Sequence, residues 1–505
     1  MAALPLVGVG PLRTSVPQSF DSRSFRRGAA PNILILVFDA LSARNISLYG
    51  YRRNTMPNLA RFAERATVFH SHRAGGNFTT SGTASLLTGA YPWSHRAVNM
   101  QGTVVDRFRQ KTIFNLLGQK RYFRLGFSHN ILAVSLLNQF RGDLDHLEET
   151  RKLCLVDDYI SERLFEKDYT PAIHAENLFS RGGDSYSNSL FLYWIFRLWY
   201  RHERNGLRKQ FELFPHGIPS SHNLVFLLED AIDWTKRQLQ EMPQPFMAYL
   251  HFLPPHDPYS PRRDFIGRFD DGWNPKPKPL HPLTDHVPID RLNRYRREYD
   301  EYIAYVDAEF GRLYDFMREK RVLDNTYLFV TSDHGELFER GVWEHITPLL
   351  FEPVIRVPLL ISKPGQQTRE DVRAPTSCVD ILPTLAQIAG LKRPDWCEGE
   401  PLPTIVNTRP RSDRSIYSVE AKQSAKLGPL KKRTVSLIRE GHKLIHYLGY
   451  EGYDDVYELY DLTQDPEELR DISRAKKGVA AELRALLREH LVTVGGGLEM
   501  PRTGR

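Results

Sequence analysis

The stretch "PNILILVFDA", residues 31–40, decides the architecture. Six apolar side chains in succession, Ile33 to Phe38, close on the carboxylate of Asp39. A half-exposed strand would alternate, so a run apolar on both sides suits a strand covered on both faces within a mostly parallel sheet. Two more units repeat the design. The amphipathic "NLVFLLEDAIDWTKRQLQEM" (223–242) precedes "PFMAYLHFL" (245–253), which ends in "PPHDPY" (254–259), and a helix expected over 291–319 precedes "TYLFVTSDHGE" (326–336). Between them "TMPNLARFAERA" (55–66) and "TIFNLLGQK" (112–120) read as helices and "YFRLGFSH" (122–129) as a strand. This alternation predicts an α/β layer fold. In such sheets the ligand lies beyond the carboxyl ends of the strands. There the chain places Asp39, His256, Asp333 and His334.

A chain of 505 residues, 41% hydrophobic and 26% charged, has enough apolar mass for a large core. Residues 1–30, rich in Pro, Ser, Gly and Arg, read as a flexible leader, and 31–395 as the main α/β domain. Within it 140–222 reads as a variable insertion and candidate lid. Residues 396–412 read as a linker, and 413–505 as a small α+β domain with a hairpin turning at Glu440 and Gly441 and a terminal helix over about 477–492. The net charge of +7 is spread among mixed-sign helices. It favours an anionic ligand, and no nucleic-acid motif accompanies it. No run of eighteen apolar residues occurs at either end, and the opening places its apolar part before its arginines, the reverse of a secretory signal. A soluble, cytoplasmic protein is therefore expected. Cys154, Cys378 and Cys397 form no CxxC pair and read as buried thiols.

An aspartate at one strand end and an Asp-His pair at another make a mixed oxygen and nitrogen site for a divalent ion. In the same order the chain resembles the sulfatase family within the alkaline phosphatase superfamily. The resemblance rests on "PNILILVFDALSARNISLYGYRRNTMPNLARFAERATVFHSHRA", "TTSGTASLLTGAYP", "AYLHFLPPHDPYSP", "TSDHGE", "FEPVIRVPLLIS", "CVDILPTLAQIAG" and "ELYDLTQDPEE", from about 31 to 473. It implies an alkaline-phosphatase-like fold and a metal held by Asp39, Thr79, Asp333 and His334. "TTSGTASLLTG" stands where that family has its nucleophile motif, placing Thr79 on the nucleophile position in place of cysteine, with Thr80 as the fallback.

A cysteine there is oxidised to formylglycine, whose hydrated aldehyde releases sulfate by collapsing to a carbonyl. Threonine lacks that route, so its ester must be resolved by direct attack of water or an acceptor. The resemblance further implies roles for His256 at the transferred group or leaving oxygen, with His251 as the alternative to His256, and for His129 and His345 as anion contacts. The family's second acidic residue is here Ala40, and its lysine before the histidine is Phe127. Fewer hard oxygen ligands and a histidine favour one Zn2+ or Mn2+ ion, with Ca2+ as the alternative. The expected activity is a metal-dependent hydrolase or transferase of a small phosphate ester, mono- or diester, open to lipid or sugar linkage, through a covalent threonine intermediate. A sulfuric ester hydrolase without formylglycine is the alternative, and a non-catalytic binding module on the same fold is the alternative of another class. The aromatic and basic stretch 189–209 is too polar to span a bilayer. It suits a packed helix near the substrate pocket, or contact with a membrane surface.

Overall fold

The computed structural model of the chain describes residues 30–156, 198, 206–221, 224–284 and 286–494. The leader short of its last residue, most of the insertion, and most of 189–209 lie outside the described residues. The apolar runs become the strands β1 (Asn32–Phe38), β2 (Thr67–Phe69), β3 (Phe123–Ser128), β4 (His146–Leu147), β5 (Phe246–Phe252), β6 (Thr326–Thr331), β7 (Leu359–Ser362) and β8 (Glu370–Val372). They form one sheet in the order β8-β2-β7-β6-β1-β5-β3-β4. From β6 to β4 every pair is parallel, while β7 runs antiparallel to both β6 and β2. Every residue of β1 and β5 is buried, as an interior strand covered on two faces requires. Helix α1 (Thr79–Thr88) packs on one face of this sheet with α4 (Ile381–Ile388); α2 (Leu228–Glu241) and α3 (Ile289–Glu319) cover the other.

A second sheet follows, the antiparallel meander β9 (Ile416–Glu420), β10 (Arg433–Arg439), β11 (His442–Leu448) and β12 (Val456–Asp461). The β10–β11 hairpin turns through Glu440 and Gly441 at φ of 48° and 78°. Two successive left-handed residues give the turn whose twist matches the strands. Val435, Leu437, Leu444 and Leu459 of this sheet share a core with Ala480, Leu483, Leu487 and Leu491 of the terminal helix α5 (Lys477–Thr493).

The two sheets are joined by a buried charge network. Arg73 meets Glu352 at 2.9 Å, and Lys443, fully buried, meets Glu352 at 3.3 Å and Glu468 at 2.7 Å. Removing one partner of such a network leaves an uncompensated buried charge and costs about 3–5 kcal/mol. Edge contacts add to it, with Val419 N donating to Gly75 O at 2.9 Å and Ser418 Oγ to Ala74 O at 2.6 Å. This junction lies just before α1, so the small sheet is seated beside the reactive end of the large one.

Candidate active site

Three strand ends and one helix start meet beyond β1. Asp39 follows β1, and its N–H donates to Phe252 O at 2.9 Å, tying it to the end of β5. The next residue, Ala40, is held at φ 58°, a conformation unfavourable for a residue with a Cβ. Tyr299 from α3 secures that turn: its hydroxyl donates to Ala40 O at 2.5 Å and accepts from Ser42 N at 2.9 Å. Asp333 and His334 follow β6. Helix α1 approaches them so closely that a Cβ at Gly82 would lie 2.1 Å from Asp333 O. Glycine is thus required at this crossing, and Thr79 is delivered to the cluster.

Asp39, Asp333 and His334 each offer a ligand atom, all within 4.8 Å of one another, and all three residues are buried. His334 Nδ1 donates to Gly335 O at 2.9 Å, which leaves the lone pair of Nε2 facing the cluster. Nε2 lies 3.2 Å from Asp39 Oδ1 and 3.4 Å from Thr79 Oγ1. Asp39 Oδ1 is nevertheless a buried acceptor with no hydrogen bond. A carboxylate oxygen without a donor, a second carboxylate and an imidazole lone pair directed at one point fit a divalent cation.

The field in the cluster is set by its histidines. Burial works to raise the Asp39 carboxyl, but His256 and His251 facing it hold it well below the usual carboxylate range. Burial, and then the Asp39 charge, push Asp333 up. His251, in β5, puts Nε2 3.1 Å from Asp39 Oδ2 and 3.8 Å from Asp333 Oδ2, with Tyr249 OH 3.1 Å from its Nδ1. Burial opposes its charge, yet Asp333 and Asp39 raise it. His256 is also present, its ring 6.3 Å from that of His334 and 4.8 Å from that of His345. Its Nδ1 faces Asp257 O at 2.7 Å and Asp257 Oδ1 at 2.9 Å. Against burial, Asp257 and Asp39 hold it protonated well above the usual imidazole range.

His345 packs on His334 with ring centroids 4.2 Å apart. Its Nδ1 meets the buried carboxyl of Glu336 at 3.2 Å. Burial, then His334 and His256, keep His345 well below the usual imidazole range, and burial carries Glu336 well above the carboxylate range.

Of the residues expected from sequence, Asp39, Thr79, Asp333, His334, His256 and His345 come together. His129 does not. Its ring stacks on Phe226 at 3.9 Å and meets Phe127 edge-on at 4.9 Å, and neither ring nitrogen has a hydrogen-bond partner. Phe127 and His129 point to the α2 side. Their neighbour Asn130 points to the cluster, donating to Asp39 Oδ2 at 2.6 Å and Thr79 Oγ1 at 3.0 Å. Thr80 turns away as well, its hydroxyl donating to Met100 O at 2.8 Å. Asn130, Glu336 and Thr83, whose Oγ1 is 3.4 Å from Asp333 Oδ2, were not singled out by sequence reasoning. Asn130 did carry one signal, a capping residue ahead of the apolar run "ILAVSLL".

Arranged in this way, a buried hydroxyl at a helix start stands in a cluster of two carboxylates and four imidazoles, of which His256 keeps part of its side chain exposed. That arrangement suits nucleophilic attack on an anionic ester. The family profile described as Sulfatase matches residues 31–391. A second, described as N-sulphoglucosamine sulphohydrolase, C-terminal, matches residues 339–495. A choline-sulfatase of Rhizobium meliloti (strain 1021) is 26% identical over 472 residues, covering 89% of this chain and 83% of that protein. An arylsulfatase of Clostridium perfringens is 22% identical over 480 residues, covering 88% and 91%. Among solved structures, a phosphonate monoester hydrolase of Agrobacterium radiobacter superimposes with a TM-score of 0.66 at 19% identity, covering 92% of this chain and 95% of that one. The Sulfatase profile spans well over half of the chain, which therefore belongs to the sulfatase family of the alkaline phosphatase superfamily, a family of ester hydrolases.

Proposed function

We propose that the protein cleaves or transfers a phosphate ester, mono- or diester, through a covalent ester on Thr79. The observation that carries this reading is the residue at the start of α1: a threonine whose Oγ1 lies 3.4 Å from His334 Nε2 and 3.0 Å from Asn130 Nδ2. Threonine has no aldehyde hydrate to collapse, so release of the acid requires attack on the central atom of the ester. That chemistry is at home in phosphoryl transfer.

Asp39, Asp333 and His334 would hold one divalent cation, which when bound lowers the hold of a hydroxyl on its proton and screens the ester's charge. Two carboxylates and one imidazole, with Ala40 supplying none, put Zn2+ or Mn2+ ahead of Ca2+. Thr79 Oγ1, its proton passing to solvent, forms the new bond to the central atom as the bond to the departing oxygen breaks, with Asn130 orienting it; water or an acceptor hydroxyl then attacks the same atom and releases Thr79. His256, held protonated, gives its proton to the departing oxygen. His345, fixed by Glu336, contacts the transferred group, and the N-terminus of α1 faces its charge. The substrate is thus a small anionic ester, open to lipid or sugar linkage. We also place the protein in the cytoplasm, where the thiols of Cys154, Cys378 and Cys397 would stay reduced; among the described residues no helix is long and apolar enough to cross a membrane.

The second reading, a sulfuric ester hydrolase without formylglycine, is favoured by the choline-sulfatase relative. The two separate in one assay. Purified protein is incubated with Zn2+, Mn2+ or Ca2+ and an aryl phosphate, an aryl phosphodiester or an aryl sulfate. Turnover of a phosphate ester is expected, and turnover of the sulfate alone overturns the proposal.

A further inference from the structure

Two residues beyond the end of β9, Lys422 sends its side chain out of the C-terminal sheet to the lead-in of α1. Nζ donates to Asn77 Oδ1 at 3.2 Å and Thr347 O at 3.1 Å, and faces Glu420 Oε1 at 3.3 Å. It also lies 5.0 Å from the ring centroid of Phe78, the residue before Thr79. Asn77, fully buried, closes the triangle, its Nδ2 donating to His345 O at 3.0 Å and Thr347 O at 2.8 Å. One cation and one amide therefore bind three pieces of chain: the approach to Thr79, the loop that carries His345, and the second sheet.

We propose that Lys422 is a positioning residue of the active site, holding the Thr79 lead-in and the His345 loop in register through Asn77 and Thr347. The inference rests on the reading of Thr79 and His345 as reacting groups. An ammonium has three hydrogens, and each has an acceptor here, so Lys422 acts on the site through its neighbours and not as a direct contact to the ester. Reacting atoms placed wrongly by about 1 Å lose about 100-fold in rate; without Lys422 the Asn77 amide still bonds His345 O and Thr347 O, but nothing fixes the Oδ1 side of that amide or holds the pair against the second sheet. The C-terminal sheet is thereby a working part of the catalytic unit.

The test uses the full chain and whichever of the aryl phosphate, phosphodiester and sulfate the wild type turns over. A sulfate-only enzyme thus ends the phosphoryl reading and leaves this inference open to its own result. Lys422→Met and Lys422→Gln are expected to lower kcat by about 10- to 100-fold with KM within about threefold, and Lys422→Arg, which keeps charge and donors, to recover most of kcat. In an Asn77→Ala background the Lys422→Met effect is expected to shrink below about threefold, because the two act through one linkage. Three results overturn the inference: kcat within twofold of wild type in either the Met or the Gln variant, a loss confined to KM, or effects of Asn77→Ala and Lys422→Met that simply multiply. If the Met variant does not fold, the Gln and Arg variants carry the same comparison.

Discussion

Asn130 donates to Asp39 Oδ2 across 2.6 Å, and the same amide reaches Thr79 Oγ1. A short bond to a buried carboxylate is a strong one, and it couples the metal-side acid to the nucleophile. Asn130 has a second duty, because its Oδ1 accepts from Leu132 N at 2.8 Å and caps the helix Ile131–Gln139. The two duties separate by substitution. Asn130→Ala loses both, with about 1 kcal/mol of stability going with the cap. Asn130→Asp keeps a capping acceptor and loses the donor. Turnover by the Asp variant is expected to fall by about 100-fold or more, as for loss of a donor at a site of developing charge, while its melting temperature changes less than that of the Ala variant. Kinetics and thermal unfolding on both variants check this; wild-type turnover by Asn130→Asp would remove Asn130 from the reaction.

Thr79 and Thr80 are adjacent in sequence and differ in what their hydroxyls face. Thr80 Oγ1 is spent on Met100 O; Thr79 Oγ1 is in the cluster. Thr79→Ala is expected to lose at least about 1000-fold in kcat, as nucleophile removal does, with Thr79→Ser retaining measurable turnover. Thr80→Ala is expected to stay within about threefold in kcat, its cost being one hydrogen bond of roughly 1 kcal/mol in stability. Mass spectrometry of quenched wild-type enzyme should find a phosphate or sulfate ester mass increment on the peptide carrying Thr79. An increment on Thr80 reverses the assignment.

The large sheet was legible because β1, β5 and β6 are apolar on both faces, a pattern few other structures can bury. The Glu440–Gly441 hairpin was legible because only a left-handed turn suits that pair between two strands. Asp39, Asp333 and His334 could be found because they follow the ends of strands, where chemistry in such sheets collects, and Thr79 because "TTSGTASLLTG" resembles the family's nucleophile motif. Other parts had no local signal. His129 and Asn130 differ by one position in an extended segment, and one position inverts the face. His251 stands only as the alternative to His256, because in "AYLHFL" it looks like any residue of a buried strand and nothing local says that its ring meets two carboxylates. Asn77 and Lys422 stand 345 residues apart, and only packing of the second sheet brings them together.

His129 also sets a pH dependence. Burial, with a lesser push from His251, pulls its ring down to about 3, and burial does the same to His72 and His95. In the unfolded chain an imidazole titrates near 6.5. Between about 3 and 6.5 the unfolded state therefore binds more protons than the folded one. The stability owed to a neutral His129 is fully present above 6.5 and is lost as pH falls through that window, at up to about 1.4 kcal/mol per pH unit. His129→Phe keeps the stack on Phe226 and removes the titration. Chemical denaturation of wild type at pH 7 and pH 5 should show a larger drop than the variant, by about 2 kcal/mol. Equal drops in the two proteins would contradict a neutral, buried His129.

The final expectation concerns the carboxylates themselves. Asp39 and Asp333 have ligand atoms within 4.8 Å of each other and of His334 in a fully buried cluster. Without a cation, two ionised carboxylates at that separation repel by about 3 kcal/mol at an effective dielectric constant near 20, a repulsion that His256 and His251 work against. With a cation the same pair becomes the binding energy. Metal analysis of purified protein should find one divalent ion per chain, and chelation should lower both turnover and melting temperature. Asp333→Asn removes one ligand and one source of repulsion. It is expected to bind the ion at least about 10-fold more weakly, as even outer-shell changes can, yet to be as stable as wild type or more so when both are stripped by chelator. Stripped wild type that keeps its activity and its melting temperature would show that the cluster holds its two acids together by histidine alone.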